Sequence, residues 1–319
     1  MSSSLVALVL IGAISVALEE ITNKHLVRKL GNEFAQIALV NFLTVAWIPA
    51  IVFVIIPGIN KLGIVSLEAK LILNVGWPAF WFAMIVAILN IVIRFLDFKS
   101  YLDDMSKIAP IKGVTIIFLV PVGYFYLNEK LEPLGIIGLA IIAMGVWLLG
   151  FKDLKFRTLI SGVLSPLASL WRCRETRYAL LAAFIASFAL VNEKRAVMSV
   201  ADEIAAAFSI VFLYKFALAF MALTITPFYA RIKNKPVRLS WGNFKFIWIV
   251  GMFSAVQQIC FFSAYQLTEA AYAGSFKRLW VVFGVIFGWL FFKEKKIIQR
   301  LFISLVIFLG VFIAYYYGK

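Results

Sequence analysis

The chain contains ten stretches of apolar residues, each close to the length that crosses a lipid bilayer as one helix. The hydrocarbon core of a bilayer is about 30 Å thick and takes about 20 residues of α-helix to cross. We number the stretches as spans 1 to 10, and they cover residues 5–27, 34–56, 78–101, 107–127, 133–151, 178–199, 204–230, 246–268, 270–292 and 301–318. Because a helix in lipid satisfies its own backbone hydrogen bonds, the pattern predicts an all-α integral membrane protein with ten transmembrane helices.

The composition agrees with a chain that is surrounded mostly by lipid. Hydrophobic residues make up 63% and charged residues 15% of the 319 residues, whereas soluble domains have about 45–50% and about 25%. The 31 Lys and Arg residues exceed the 16 Asp and Glu residues, for a net charge of +15. Most of these cations lie in loops that follow odd-numbered spans, where the positive-inside rule explains them as cytoplasmic. We therefore expect a multi-pass protein of the plasma (cell inner) membrane, with no nucleic-acid partner and, by charge, both termini outside.

Few residues are available for catalysis or metal binding. The only cysteines and histidine are Cys173, Cys260 and His25, too few for a Cys/His zinc site. The sequence has no phosphate-binding P-loop and no Gly-x-Ser-x-Gly nucleophile motif, so it predicts neither ATP hydrolysis nor acyl transfer. We expect no enzyme activity, no cofactor and no metal. The oligomeric state stays open, and a monomer is compatible with the sequence.

The two halves of the chain resemble each other. A shift of 170 residues aligns Lys24 with Lys194, Glu33 with Glu203 and Ala35 with Ala205, and a shift of 165 aligns Lys112 with Lys277, Glu129 with Glu294 and Gly145 with Gly310. Each half has five spans, so the second copy must enter the membrane from the opposite side, as in the inverted repeats of many secondary transporters. The predicted organisation is a first five-helix repeat over 1–151, an interfacial linker over 152–177 and a second repeat over 178–319.

Several cations lie inside the apolar spans, where a charge costs several kcal/mol unless it is paired or lines a wet cavity. No carboxylate lies within one helical turn of Lys112, Lys277 or Arg278 along the chain. An organic phosphate or carboxylate would relieve the repulsion among these cations, with arginine as a bidentate donor. We therefore predict that they bind an anionic substrate. Further candidates for substrate binding are Lys215, Lys24 and Lys194.

Carboxylates lie inside the spans as well. Glu19, Glu20 and Glu193 are candidates for carrying a coupled proton. Pairing on one helix face is the alternative for Glu20, which stands four residues before Lys24. Glu129 follows span 4 and is expected to cap a helix or anchor a loop.

Short motifs in the second half are similar to the EamA branch of the drug/metabolite transporter superfamily. They are Ala-Gly-Ser-Phe-Lys-Arg-Leu at 273–279 and Phe-Phe-Lys-Glu-Lys at 291–295, with a weaker copy at 108–110 and 127–131. The resemblance implies a ten-helix secondary carrier with a pocket between its halves. Within that superfamily, the triose-phosphate translocators have a lysine in helix 4 and a Lys-Arg pair in helix 9 that bind phosphate, which match Lys112, Lys277 and Arg278. Bacterial relatives are drawn with cytoplasmic termini, opposite to the charge count, so the orientation stays open.

These features together predict a secondary transporter that moves a small organic anion, phosphorylated or carboxylated, by alternating access. One alternative on the same fold is an exporter of amino acids or drug-like metabolites. The other is a lipid scramblase or a non-transporting membrane protein. The expected partners are a small-molecule substrate and the lipid bilayer. Substrate identity, direction of transport, and exchange against proton coupling are not determined by the sequence.

Overall fold

The computed structural model describes residues 3–30, 32–61, 68–100, 115–148, 174–234, 241–280, 282–284, 286–287 and 297–317. These residues form helices and connecting turns with no β-strand among them, which confirms the all-α class for this part of the chain. The α-helices are α1 (Ser3–Leu30), α2 (Glu33–Ala50), α3 (Ile56–Lys61), α4 (Trp77–Ser100), α5 (Thr115–Leu127), α6 (Pro133–Leu148), α7 (Arg174–Met198), α8 (Glu203–Lys233), α9 (Trp241–Leu267), α10 (Ala270–Phe276) and α11 (Ile297–Tyr317).

Four helical stretches among the described residues are long and apolar enough to cross a bilayer. They are Glu33–Lys61, Trp77–Asp97, Glu203–Lys233 and Gly242–Leu267, and three shorter apolar helices cover Thr115–Leu127, Pro133–Val146 and Phe302–Tyr317. Large apolar side chains face outward from several of them, such as Phe125 with 80% of its surface exposed and Ile232 with 75%. An outward apolar surface of this kind suits lipid rather than water, so the chain is a multi-pass membrane protein. The total of ten spans remains a prediction.

Local sequence explains why the helical stretch Glu33–Lys61 is irregular. Pro49 lies inside α2 and has no N–H to donate, so the helical hydrogen-bond ladder is interrupted there. A π-helical turn, Ile51–Ile55, follows directly and continues into α3. Such single turns are a common way for a helix to absorb an interruption.

The helices that begin after the first loop of each half are capped in the same way. The side-chain oxygen of Asn32 accepts a hydrogen bond from the Ala35 N–H at 3.1 Å, at the start of α2. Asp202 does the same for the Ala205 N–H, also at 3.1 Å, at the start of α8. Asn and Asp are preferred at this position because they satisfy N–H groups that the helix leaves open. The two caps stand at positions that the 170-residue shift aligns.

An ion pair fastens the segment before α4 to the start of α8. The Lys70 ammonium lies 2.6 Å from the second carboxylate oxygen of Asp202, and the Ser209 hydroxyl accepts the Ile72 N–H at 3.0 Å. The hydrogen bond from the Lys70 ammonium is the main cause that holds the pKa of Asp202 below its ordinary value of 3.8. The hydrogen bond from the Ala205 N–H lowers the pKa further. The pair is solvent-exposed, so it contributes little at high salt.

We predict a small, pH-dependent contribution of this pair to stability. The folded pKa of Asp202 is depressed, so the contribution is present above pH 3.8 and is lost as the pH falls through the lower pKa of the folded state. Asp202→Asn keeps an oxygen for the cap but removes the charge. The melting temperature of the wild type should therefore fall more steeply on acidification than that of the variant. Parallel curves in acid would show that the ion pair contributes nothing.

The described helices belong to two compact units, and each unit takes helices from both halves of the chain. The first unit comprises Ser2–Ile91 and Asn192–Thr268, and the second comprises Val92–Val191 and Glu269–Lys319. In the first unit α1 packs along α9, and α2 packs on α8 and α9. A cluster of buried apolar side chains, Leu26, Val40, Ile247 and Val250, lies at the junction of α1, α2 and α9.

In the second unit, small residues allow close approach of helices. α6 packs on α11, and α5 packs on α10. A Cβ atom added to Gly138 would lie 2.5 Å from the Ala314 backbone nitrogen, and one added to Gly310 would lie 2.8 Å from the Ile142 nitrogen. The glycines thus let the two backbones touch, as small residues do at helix interfaces in membranes.

Candidate functional site

The Lys-Arg pair predicted to bind an anion stands where a helix changes its form. All seven residues of α10 are buried. The α-helix gives way to a 3-10 turn over Lys277–Leu279, in which Leu279 is buried while Lys277 and Arg278 are half-buried. Both cations belong to the second unit. The tighter turn redirects consecutive side chains relative to the α-helix before it, so the pair occupies an irregular point inside an apolar segment.

Two other predicted cations are only partly described. Lys112 falls in 101–114, outside the described residues, so its placement next to Lys277 and Arg278 stays a prediction. Lys24 lies in α1, and its side chain is beyond the described part of the chain. Glu294, the predicted counterpart of Glu129, is also outside it.

Lys215 is the most deeply buried of the predicted cations whose side chains are described. Only 3% of its surface is exposed. Its ammonium lies 3.4 Å from the Ser254 hydroxyl oxygen and 5.3 Å from the centre of the Tyr214 ring. The Tyr214 ring in turn stacks on Phe262, with centres 5.4 Å apart. A hydroxyl and the face of an aromatic ring both stabilise a desolvated ammonium group.

Glu19 is equally buried and is held by an amide side chain. It is 2% exposed, and its second oxygen accepts a hydrogen bond from the Gln257 amide nitrogen of α9. Its first oxygen lies 3.5 Å from the Asn23 amide nitrogen. The neighbouring Glu20 is half-buried. Of these two predicted proton carriers, Glu19 is therefore the one in the interior of the first unit.

The third predicted carrier, Glu193, begins a run of three charged residues that are each held by a different neighbour. Glu193 is 5% exposed and accepts a hydrogen bond from the Tyr265 hydroxyl at 3.0 Å. The Lys194 ammonium donates to the Thr268 carbonyl oxygen at 3.0 Å, just past the end of α9, where a cation is favoured by the helix dipole. Arg195 lies over the Phe82 ring at 5.6 Å. These contacts give Lys194 a structural role at the end of a helix, whereas its part in substrate binding stays a prediction.

One face of α9 joins the predicted groups of the first unit. Ser254, Gln257 and Tyr265 contact Lys215, Glu19 and Glu193, respectively. Ser254 was not among the residues that sequence reasoning singled out. A small polar residue three positions before Gln257 is the signal that could have identified it, because residues three apart lie on the same face of a helix.

Two buried amide oxygens on this helix have no hydrogen-bond partner among the described residues. They are the oxygens of Gln257 and Gln258, whose side chains are 3% and 5% exposed. A buried acceptor without a donor costs about 1–3 kcal/mol. Such groups are often matched by a ligand, an ion or water.

Glu129 is a cap, as expected from the sequence, and it stabilises the helix that precedes the Lys-Arg pair. Its first oxygen accepts the Ala270 N–H at 2.8 Å, at the start of α10. Its backbone N–H reaches the Gly123 carbonyl oxygen at 3.4 Å. Gly123 leaves room for the carboxylate, since an added Cβ there would lie 3.0 Å from the second oxygen of Glu129.

We predict that Glu129→Ala lowers the free energy of unfolding by about 1–3 kcal/mol, because it leaves the buried Ala270 N–H unsatisfied. Glu129→Gln retains an oxygen acceptor and should lose much less. Thermal unfolding of the detergent-solubilised protein measures both. An equal loss in the two variants would mean that the negative charge, and not the cap, is what matters.

Comparisons with known proteins identify a family that the second half of the chain resembles. Residues 176–316 match the sequence profile of the EamA-like transporter family. No curated protein matches the chain. One solved crystal structure has a TM-score of 0.63 and 16% sequence identity, and the match covers 97% of this chain and 96% of that chain. At this identity the likeness concerns the fold alone.

The family match agrees with the expectation of a transporter rather than an enzyme. It does not extend to the triose-phosphate translocators, so that narrower resemblance remains a prediction. The matched stretch contains five of the nine predicted residues, namely Glu193, Lys194, Lys215, Lys277 and Arg278. The second half of this membrane protein is therefore similar to the EamA-like transporter family, over the residues that carry most of the predicted site.

Proposed function

We propose that the chain is a secondary carrier of the drug/metabolite transporter superfamily that moves a small organic anion across the plasma (cell inner) membrane. The observation that carries the proposal is the half-buried Lys277–Arg278 pair at the 3-10 turn after α10. The pair lies within the stretch that matches a family of transporters. Two adjacent cations in an otherwise apolar segment are favoured when an anion joins them.

The chemistry of the pair suits a phosphate or a carboxylate. A guanidinium group donates two parallel hydrogen bonds to such a group, and an ammonium group adds a point charge. A neutral or cationic substrate would not form such charge-assisted hydrogen bonds with these two side chains. The proposed site residues are therefore Lys277 and Arg278 together with Lys112. Lys215 belongs to the other unit and is a separate candidate for binding an anion.

Alternating access between two inverted repeats is the transport mechanism that we propose. Helices at equivalent positions of the two halves pack on each other: α2 on α8, α5 on α10 and α6 on α11. The matched caps at Asn32 and Asp202 agree with the same repeat. A two-fold relation of this kind lets a carrier expose one site to either side of the membrane by equivalent movements.

Thermal stabilisation of the detergent-solubilised protein by a ligand panel tests the proposal. The panel contains inorganic phosphate, a sugar phosphate, succinate, neutral and basic amino acids, and a quaternary ammonium compound. Binding to the folded state raises the melting temperature by mass action, and we expect this from the anions only. Counterflow of the stabilising anion in proteoliposomes then tests transport. Stabilisation by cationic or neutral compounds alone would overturn the anion proposal in favour of an exporter of amino acids or drug-like metabolites.

A further inference from the structure

Two buried charges of opposite sign approach the same face of α9. The Lys215 ammonium, from α8, lies against Ser254, and the Glu19 carboxylate, from α1, accepts from Gln257. Residues three apart on a helix face have Cβ atoms about 5–6 Å from each other. The Lys215 ammonium and the Glu19 carboxylate therefore contact neighbouring positions on one face of α9. Both lie in the interior of the first unit, where screening by solvent is weak.

The Gln257 amide can serve both protonation states of Glu19. Its nitrogen donates to the carboxylate, and its oxygen is buried without a hydrogen-bond partner among the described residues. A protonated Glu19 would need an acceptor for its O–H in place of a donor. Rotation of the amide supplies that acceptor and breaks no hydrogen bond made by the oxygen. The site is thus built to hold Glu19 with or without a proton.

Among the residues that the structure describes, the helices around Glu19 also carry charged groups. On α1 itself they are the half-buried Glu20 and, one turn further, Lys24. Along α9, Tyr265 leads to Glu193 of α7, two helical turns beyond Gln257. From α2, the Gln36 amide reaches the Asn23 side chain at 3.2 Å, and the half-buried Glu33 stands at the start of that helix. In addition to these groups, Lys215 of α8 is a cation that contacts the same face of α9 as Glu19 does.

From this juxtaposition we propose that Glu19, Gln257 and Lys215 form a proton-coupled anion subsite. An ionised Glu19 offsets the positive charge of Lys215 through a medium of low dielectric constant. When Glu19 takes up a proton, that negative charge is gone and Lys215 attracts a substrate anion more strongly. One proton and one anion then bind together and are released together, so transport is symport of the anion with a proton.

This inference rests on the proposed function, since it supposes that the chain binds an anion. It adds a second subsite, in the first unit, to the one at Lys277 and Arg278. It also selects Glu19 over Glu20 and Glu193 as the proton carrier that is linked to the substrate.

The test is calorimetric titration of the full-length, detergent-solubilised protein with inorganic phosphate, and in parallel with succinate, in mildly acidic and mildly alkaline buffers. Each titration is repeated with Glu19→Gln and, as a matched control, with Glu20→Gln. The ionisation of the ligand changes with pH in the same way for all three proteins. A difference in the pH dependence of the affinity between them therefore reports a proton that the protein binds. One linked proton changes the affinity by up to about tenfold per pH unit. We expect this extra dependence in the wild type and in Glu20→Gln, and we expect its loss in Glu19→Gln.

Two further variants keep the result interpretable. Glu19→Asp retains an ionisable group and should retain the extra pH dependence, even where the protein is less stable. Lys215→Gln should remove that dependence and weaken anion binding in acid. An unchanged pH dependence in Glu19→Gln would overturn the coupling but leave the carrier proposal intact. Absence of anion binding to the wild type at either pH would overturn both.

Discussion

Lys277→Gln and Arg278→Gln are each expected to weaken anion binding by about 10- to 100-fold, and together to abolish anion counterflow. The reason is that a hydrogen bond to a charged group contributes about 1.5–3 kcal/mol, and each tenfold change in affinity corresponds to about 1.4 kcal/mol. Arg278→Lys should be intermediate, because it keeps the charge and loses the bidentate geometry. Titration with inorganic phosphate and counterflow in proteoliposomes measure these effects.

Lys233→Gln is the matched control for the loss of one positive charge. Lys233 is exposed in the last turn of α8, so its removal changes the net charge equally and leaves the proposed site alone. Anion binding should stay within about twofold of the wild type, since an exposed charge is largely screened by solvent and salt. If Lys233→Gln weakens binding as much as Arg278→Gln, the effect belongs to the overall field of the protein and the pair is not a binding site.

Gly138→Ala is expected to have the largest effect on stability. The added methyl group would lie 2.5 Å from the Ala314 nitrogen and 2.8 Å from the Gly310 carbonyl oxygen. Both atoms belong to the backbone of α11, so the clash is relieved only if the two helices separate. Overpacking of a filled interior costs about 1–3 kcal/mol or more. We predict a clear fall in melting temperature, with loss of monodisperse protein on size-exclusion chromatography.

Gly242→Ala provides the comparison for this glycine. No atom lies within 4 Å of a Cβ added at Gly242, in the first turn of α9, and alanine is a better helix former than glycine. That variant should melt at or slightly above the wild-type temperature. Equal melting temperatures for Gly138→Ala and Gly242→Ala would contradict the tight packing of α6 on α11.

The extent of the helices shows what hydropathy alone can and cannot predict. Span 7, predicted over 204–230, corresponds to Glu203–Lys233, and span 8, predicted over 246–268, corresponds to Trp241–Leu267. The helices run past the apolar residues because backbone hydrogen bonding continues into the polar interface, where hydropathy gives no signal. The start of α8 is nonetheless readable, since Asp202 is a preferred N-cap residue directly before it.

The buried charges show the opposite case. Their types and positions are plain in the sequence, and the cost of burying them predicts that each has a role. Their partners are not plain, because Gln257 lies 238 residues from Glu19 and Tyr265 lies 72 from Glu193. Lys194 shows the consequence, since its contact with the Thr268 carbonyl oxygen could not be distinguished from a substrate contact by sequence spacing.

The sequence by itself determined that this protein is a bundle of helices in a membrane with charges at interior positions, because lipid imposes apolar length and makes every interior charge conspicuous. Tertiary structure alone decided that the side chains of Glu19 and Lys215 contact the same face of α9. It also decided that Glu129 caps α10, the helix before Lys277 and Arg278. The physical reason is that apolar length depends on neighbouring residues along the chain. Side-chain pairing depends instead on which helices pack together, and nearly uniform apolar surfaces leave that choice open.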